Sequence, residues 1–95
     1  MQQPVDGSAP PGFDVIDASE LGRYELRRDG ELVGLAEYSI DGDALVIPHV
    51  ETLRPYRGQG YAARLMAGIV DDADRRGLRI RPICSYAAAY LRGQV

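Results

Sequence analysis

The 95 residues include 11 basic and 14 acidic side chains, a formal net charge of −3. That length holds one domain, and that charge argues against a general nucleic-acid binder, which is normally basic. The single cysteine excludes an internal disulfide framework and, beside a single histidine, argues against a structural zinc site; no apolar run approaches the roughly 18 residues of a membrane span.

Met1 to Gly12 carries Pro4, Gly7, Ser8, Pro10, Pro11 and Gly12 without a basic start or an apolar stretch. It reads as a flexible tail rather than a signal or transit peptide, which leaves residues 13–95 as one domain and a reduced cytoplasmic setting as the default. A short strand is expected over Phe13 to Ile16 and another over Tyr24 to Arg27, followed by Asp29-Gly30, a strong hairpin signal. Leu32 to Ile40 forms the next strand, with Gly34 marking a bulge or a close approach. After the turn at Asp41-Gly42-Asp43, Ala44 to Leu53 is a third, largely apolar strand. Pro48 cannot donate to a ladder, so it implies a break, an edge or a bulge there.

From Gly60, the apolar positions Ala62, Leu65, Met66, Ile69, Val70 and Ala73 follow helical spacing. Asp71/Arg75 and Asp72/Arg76 fall at i, i+4 on what reads as its wet face, and Gly77 supplies the stop. Leu78 to Ile83 is a further strand, and Ser85 to Leu91 a short helix with Ser85 as its N-cap. The order predicts an α+β fold: a mixed, mostly antiparallel sheet, two helices, and one strand–helix–strand crossover over about residues 45–83 that sets two strands parallel.

Chemistry concentrates between the third strand and the long helix, at Arg54-Pro55-Tyr56-Arg57-Gly58-Gln59-Gly60-Tyr61-Ala62-Ala63. Two glycines allow backbone to pass close to a ligand, and a helix start offers unpaired N–H groups at a positive dipole end. Arg54, Arg57 and Arg64 crowd that end, where cations are unfavourable. Such crowding expects a polyanion; the plainer reading is a glycine-rich turn with solvated arginines. Gly58-x-Gly60-x-x-Ala63 formally fits a dinucleotide fingerprint, but the strand that follows, Leu78-Arg79-Ile80-Arg81, lacks the acid that fingerprint needs.

Arg57-x-x-Gly60-x-Ala62 resembles the Arg/Gln-x-x-Gly-x-Gly/Ala signature of the GNAT N-acetyltransferase superfamily. The likeness extends to a minimal single-domain branch through His49-Val50-Glu51-Thr52, Arg57-Gly58-Gln59-Gly60 and Pro82-Ile83-Cys84-Ser85-Tyr86, and covers about residues 23–92. Val50 and Thr52 stand in interchanged order and Ser85 replaces a proline of that pattern. The resemblance implies the minimal GNAT acyl-CoA N-acyltransferase fold, with acetyl-CoA as co-substrate. Backbone N–H groups of Gly58, Gln59, Gly60, Tyr61 and Ala62 would hold its pyrophosphate, with Arg57 adding charge. The backbone of Val50, Thr52 and Leu53 would hold the pantetheine arm where this strand splays from the next.

Moving an acetyl group to an amine needs a neutral amine, a donor for the carbonyl oxygen and an acid for the departing thiolate. Glu51 and His49 are the candidate bases, at alternate positions and hence on one strand face. Cys84 is placed by the resemblance near the acetyl group; a covalent acyl-cysteine and plain core packing are the other readings. Tyr90, or Tyr86 one turn earlier, is the candidate acid. The expected activity is direct transfer to a primary amine, on a small molecule or a peptide lysine. Against it stand a non-catalytic acyl-CoA-binding or sensing module and an assembly-only domain. So small a core leaves little for a deep acceptor pocket and would gain from forming a homodimer.

Overall fold

Asp29 and Gly30 take positive φ angles of 51° and 84°, the backbone signature of a type I′ hairpin, and fold Arg23–Arg28 back on Glu31–Asp41. The computed structural model describes residues 3–4 and 12–95. Its sheet contains β1 (Gln3–Pro4), β2 (Phe13–Ala18), β3 (Arg23–Arg28), β4 (Glu31–Asp41), β5 (Ala44–Thr52) and β6 (Arg79–Pro82), six strands side by side in chain order. Neighbours are antiparallel up to β5, and β5 pairs with β6 in parallel across α1 (Tyr61–Arg75). A second helix, α2 (Ser85–Leu91), follows β6. The expected α+β architecture with one crossover is therefore present. Most of the expected N-terminal tail lies outside the described residues; within it, Gln3–Pro4 pair with Ile16 and Asp17 as an edge strand.

Both readings of Gly34 hold. The register steps from Leu26↔Gly34 to Arg27↔Leu32, leaving Val33 as an extra residue. A Cβ on Gly34 would also come within 3.2 Å of the Glu51 carbonyl oxygen.

One face of the sheet carries the core. Leu65, Met66, Ile69 and Ala73 of α1 pack against Val15, Tyr24, Leu26, Leu45 and Ile47, and each large apolar side chain so buried contributes about 1.5–3 kcal/mol. Gly68 sets the spacing, because a Cβ there would lie 2.5, 2.7 and 2.9 Å from three side-chain atoms of Val15. Gly77, with φ 69°, ends α1 as expected: its N–H reaches Asp74 O at 3.2 Å and that of Leu78 reaches Ala73 O at 2.9 Å, a Schellman closure. No helix among the described residues is long and apolar enough to cross a membrane.

Two local expectations are corrected. Asp72 does not lie on a wet face: it is 8% exposed, accepting the Tyr24 hydroxyl at 2.6 Å and Arg76 Nη1 at 3.2 Å. Arg76 also reaches Asp17 at 3.4 Å, which accepts the Tyr38 hydroxyl at 2.6 Å. A tyrosine 48 positions away recruits the carboxylate, which pairing within the helix could not reveal. Burial, then the bond to Asp72, pushes the Tyr24 phenol well above its ordinary range; burial and Asp17 push Tyr38 up to about 12. At α2, Cys84 rather than Ser85 occupies the N-cap position, and no side chain caps it. Ser85 is already the first helical residue.

On the face away from α1, Glu25 is buried at 1% exposure between Arg23 at 2.7 Å and Arg27 at 2.6 Å. Burial drives its carboxyl up, but the hydrogen bonds and charges of the two arginines outweigh that and hold it below its usual value.

Candidate functional site

Pro48 has no N–H to give, and both neighbours of β5 change course beside it. Toward β4, the register steps from Ser39↔Val46 to Glu37↔His49, so β5 carries one extra residue there; the expected interruption is a β-bulge. Toward β6, pairing runs from Ala44↔Arg79 to Ile47↔Pro82 and goes no further. The N–H groups of Ile83 and Cys84 both converge on the Ile47 carbonyl, at 3.0 and 2.9 Å. Beyond that point the chain turns into α2. Among the described residues, the stretch from His49 to Thr52 has a strand partner only in β4, so its other edge stands open. Cys84, half-buried, sits at the apex of the split.

The open edge leads directly into the loop. After a 3₁₀ turn over Arg54–Tyr56, Arg57 Nε donates to the Thr52 carbonyl at 3.0 Å and ties the loop to the strand end. Gly58 and Gly60 take φ of 81° and 76°, conformations that side chains with a Cβ rarely adopt. Gly60 is the N-cap of α1, and no side chain caps that helix. Its first-turn N–H groups lack intrahelical partners and lie at the positive end of the dipole. This is an anion-binding arrangement.

The structure adds one arginine to those the sequence singled out. Arg64 stacks its guanidinium 4.6 Å from the Phe13 ring centroid, and Phe13 packs edge-on against Tyr61 at 5.3 Å. Arg28, which the sequence did not single out, takes a place at the loop. Its Nη1 donates to the Tyr61 hydroxyl at 2.6 Å, and its guanidinium lies 5.4 and 5.8 Å from the rings of Tyr56 and Tyr61. The Tyr61 hydroxyl donates in turn to Gln59 Oε1 at 3.1 Å, while the Tyr56 hydroxyl donates to Glu31. The tip of the β3–β4 hairpin thus grips tyrosines on both sides of the Arg57–Gly60 loop. Asp29-Gly30 located that tip in the sequence, but nothing local says which loop it meets.

His49 and Glu51 share a face as expected, with Nε2 and Oε1 3.0 Å apart and side-chain exposures of 49% and 39%. They pair across the ladder with Glu37 and Leu35, whereas Val50 pairs with the core residue Ala36. Directly paired residues share a face, so the dyad looks away from α1. Tyr86 and Tyr90 pack partly buried against the core; burial, then the neighbouring Tyr90, raises the Tyr86 phenol. Among the described residues no hydrogen bond joins Cys84, Tyr86 or Tyr90 to His49 or Glu51.

The family model described as GCN5-related N-acetyl-transferase matches residues 23–94. The chain belongs to that family. Its fold recurs in two solved structures. A GNAT-family chain from Novosphingobium aromaticivorans matches with a TM-score of 0.61 and 22% identity, over 98% of this chain and 56% of that one. A Staphylococcus aureus protein of unknown function matches with a TM-score of 0.55 and 23% identity, over 81% of this chain and 65% of that one. Both names suggest an acetyltransferase. This GCN5-related chain spans less than two thirds of either, and a search of curated proteins found no match.

Proposed function

We propose that this protein binds acetyl-CoA along β5 and the Arg57–Ala62 loop and transfers its acetyl group directly to a primary amine, on a small molecule or a peptide lysine. The observation that carries this reading is the end of the β5–β6 ladder at Ile47, beside a helix N-terminus that no side chain caps. Backbone groups of Val50 and Thr52 suit a pantetheine arm running along the open edge, whereas the Leu53 N–H is already given to the Val33 carbonyl of β4 at 2.9 Å. The N–H groups of Gly58, Gln59, Gly60, Tyr61 and Ala62 suit a pyrophosphate, with Arg57 contributing charge.

In direct transfer the amine nitrogen forms a bond to the thioester carbonyl carbon and the carbon–sulfur bond breaks. The amine gives up one proton to a base, and the departing thiolate takes one up. The His49–Glu51 pair offers that base: with Nε2 engaged by Glu51 at 3.0 Å, the imidazole keeps its other ring nitrogen to accept a proton. Tyr90, or Tyr86 one turn earlier, would supply the proton to sulfur. Cys84, at the apex of the split, would lie near the thioester without forming a bond to it. The same reading carries a cytoplasmic setting and a homodimer.

Calorimetry with CoA and acetyl-CoA tests binding, and an acetyl-transfer screen over polyamines, amino acids and lysine peptides tests turnover. Binding near micromolar affinity with turnover on one amine class is the expected result. No binding at high micromolar concentration refutes the cofactor reading; binding without turnover on any amine favours the sensing module.

A further inference from the structure

The sheet face away from α1 sets three charged side chains in one row. Cross-strand pairing places Arg23 opposite Glu37, and Glu37 opposite His49; directly paired residues share a face. Arg23 and His49 thus stand two inter-strand spacings apart, about 10 Å at the backbone. Both helices pack into the core on the other side, so neither lies over this row. At its β3 end the arginine is held in place. Nε and Nη2 of Arg23 reach Oε2 of Glu25 at 2.9 and 2.7 Å, while Arg27 donates to Oε1 of the same carboxylate. Glu25 is buried, and an ion cluster of this kind adds little stability over an apolar residue of similar size; what it does is fix a direction. Arg23 has five N–H donors, and among the described residues those on Nη1 have no acceptor. Its side chain is 29% exposed, and a guanidinium edge matches a carboxylate bidentately. At the β5 end stand His49 and Glu51, and Glu37 beside them bonds to nothing among the described residues. Leu35, paired with both Glu25 and Glu51, gives the space between an apolar floor. Along this face, charge runs from cationic at Arg23 to anionic at Glu37 and Glu51.

We propose that the acceptor is a small zwitterion, an amine that also carries a carboxylate, lying across β3 to β5 with its carboxylate on Arg23 and its amine at His49. Arg23 is then the residue that selects the acceptor, and Glu25 the residue that positions Arg23. This inference rests on the acetyl-transfer reading above and narrows it to amino acids whose amine ends a chain, in place of polyamines and of lysines within a peptide. Glu37 and Glu51 suit the approaching ammonium, which gives up its proton to His49 before it attacks the thioester. The carboxylate takes no part in bond making; it sets which amines arrive in register.

The experiment is acetyl transfer by the full chain to acceptors that differ only in the carboxylate: ε-aminocaproate against its amide, lysine against cadaverine, and free lysine against lysine capped at both ends. The acid of each pair should be favoured about tenfold in kcat/KM, the worth of one bond to a charged group. Arg23→Gln should erase that preference by raising KM for the acids, with kcat and the values for the amides unchanged; a thermal melt establishes that the variant folds. A second measurement needs neither variant nor turnover: the Arg23 Nε–H resonance of the unsubstituted chain should shift on titration with ε-aminocaproate and stay still with its amide. Equal kcat/KM within the pairs, a preference for cadaverine, or an acid preference that survives Arg23→Gln overturns the proposal and leaves acetyl transfer standing. No turnover on any amine together with an unmoved Arg23 resonance overturns both. No turnover with a resonance that moves for the acid alone overturns acetyl transfer and supports the carboxylate site.

Discussion

The two ends of α1 use nearly the same side chains and leave them in different states. At the C-terminal end Tyr24, Asp72 and Arg76, with Asp17 and Tyr38 beyond them, satisfy one another, and the Gly77 turn returns two N–H groups to the last carbonyls. At the N-terminal end Arg28, Tyr61 and Gln59 form a chain that stops at an amide with donors to spare, and no side chain caps the helix. A closed network contributes stability, because every buried polar group has a partner. An open one ends at an exposed amide and adds little to folding; on the acetyl-CoA reading proposed above its worth appears in affinity. The contrast predicts that substitutions at the two ends separate cleanly in their effects.

The largest separation comes at Gly60. Its φ of 76° disfavours any β-branched residue, yet a Cβ there meets nothing within 4 Å. Gly60→Val should therefore cost only about 1–2 kcal/mol of stability, the left-handed penalty, while CoA affinity falls beyond about a hundredfold as the backbone cradle is rebuilt. Calorimetry beside a thermal melt measures both; affinity within twofold of the parent would show that the cradle is not at this loop. Asp72→Ala is the mirror experiment. It leaves the buried Tyr24 hydroxyl proton without its acceptor, though the oxygen still accepts from Arg76 at 3.2 Å, and removes a partner of Arg76, so about 2 kcal/mol of stability should go with CoA affinity unchanged. A large affinity loss in that variant would mean that the sealed end communicates with the loop.

This separation also marks what the sequence could reveal. Asp29-Gly30, Gly77 and the apolar spacing of Leu65, Met66 and Ile69 act through local backbone rules, and each appears where it was expected. The Arg57-Gly58-Gln59-Gly60 loop was legible for the same reason, since glycines and a helix start are neighbours in the chain. What stayed hidden is non-local. Asp72 and Arg76 have the spacing of an ordinary surface pair until Tyr24 arrives from β3. Arg28 and Glu31 flank a hairpin turn, and only the folded sheet brings them to Tyr61 and Tyr56. Pro48 announced an interruption without saying that it would be a bulge on one side and the end of a ladder on the other.

Between the two ends, Gly68 measures how closely α1 is held to the sheet. Gly68→Ala gains about 1 kcal/mol of helix propensity but drives a methyl group into Val15, whose atoms would lie as near as 2.5 Å. Overpacking of this kind costs about 1–3 kcal/mol. The net expectation is a loss of about 1 kcal/mol by chemical denaturation, and a gain in stability would show that the helix can shift outward freely.

The smallest effect at neutral pH is the most specific to the sealed end. Tyr24 and Tyr38 are both raised, Tyr38 to about 12, whereas an unfolded tyrosine titrates near 10. Above pH 10 the unfolded chain therefore loses phenol protons that the folded chain keeps, and stability falls as pH rises. Below pH 10 both states hold those protons and the contribution is fully present. For Tyr24 alone the slope reaches at most about 1.4 kcal/mol per pH unit. Tyr24→Phe should begin about 1 kcal/mol less stable at pH 7 through its lost hydrogen bond, then fall less steeply, so that the two stability curves converge between pH 10 and 12. Parallel curves would mean that alkaline unfolding starts elsewhere. The Tyr56 phenol, raised by its bond to Glu31 and only partly buried, offers the control, and a slope that followed Tyr56 would move the pH-sensitive contact from the sealed end to the open one.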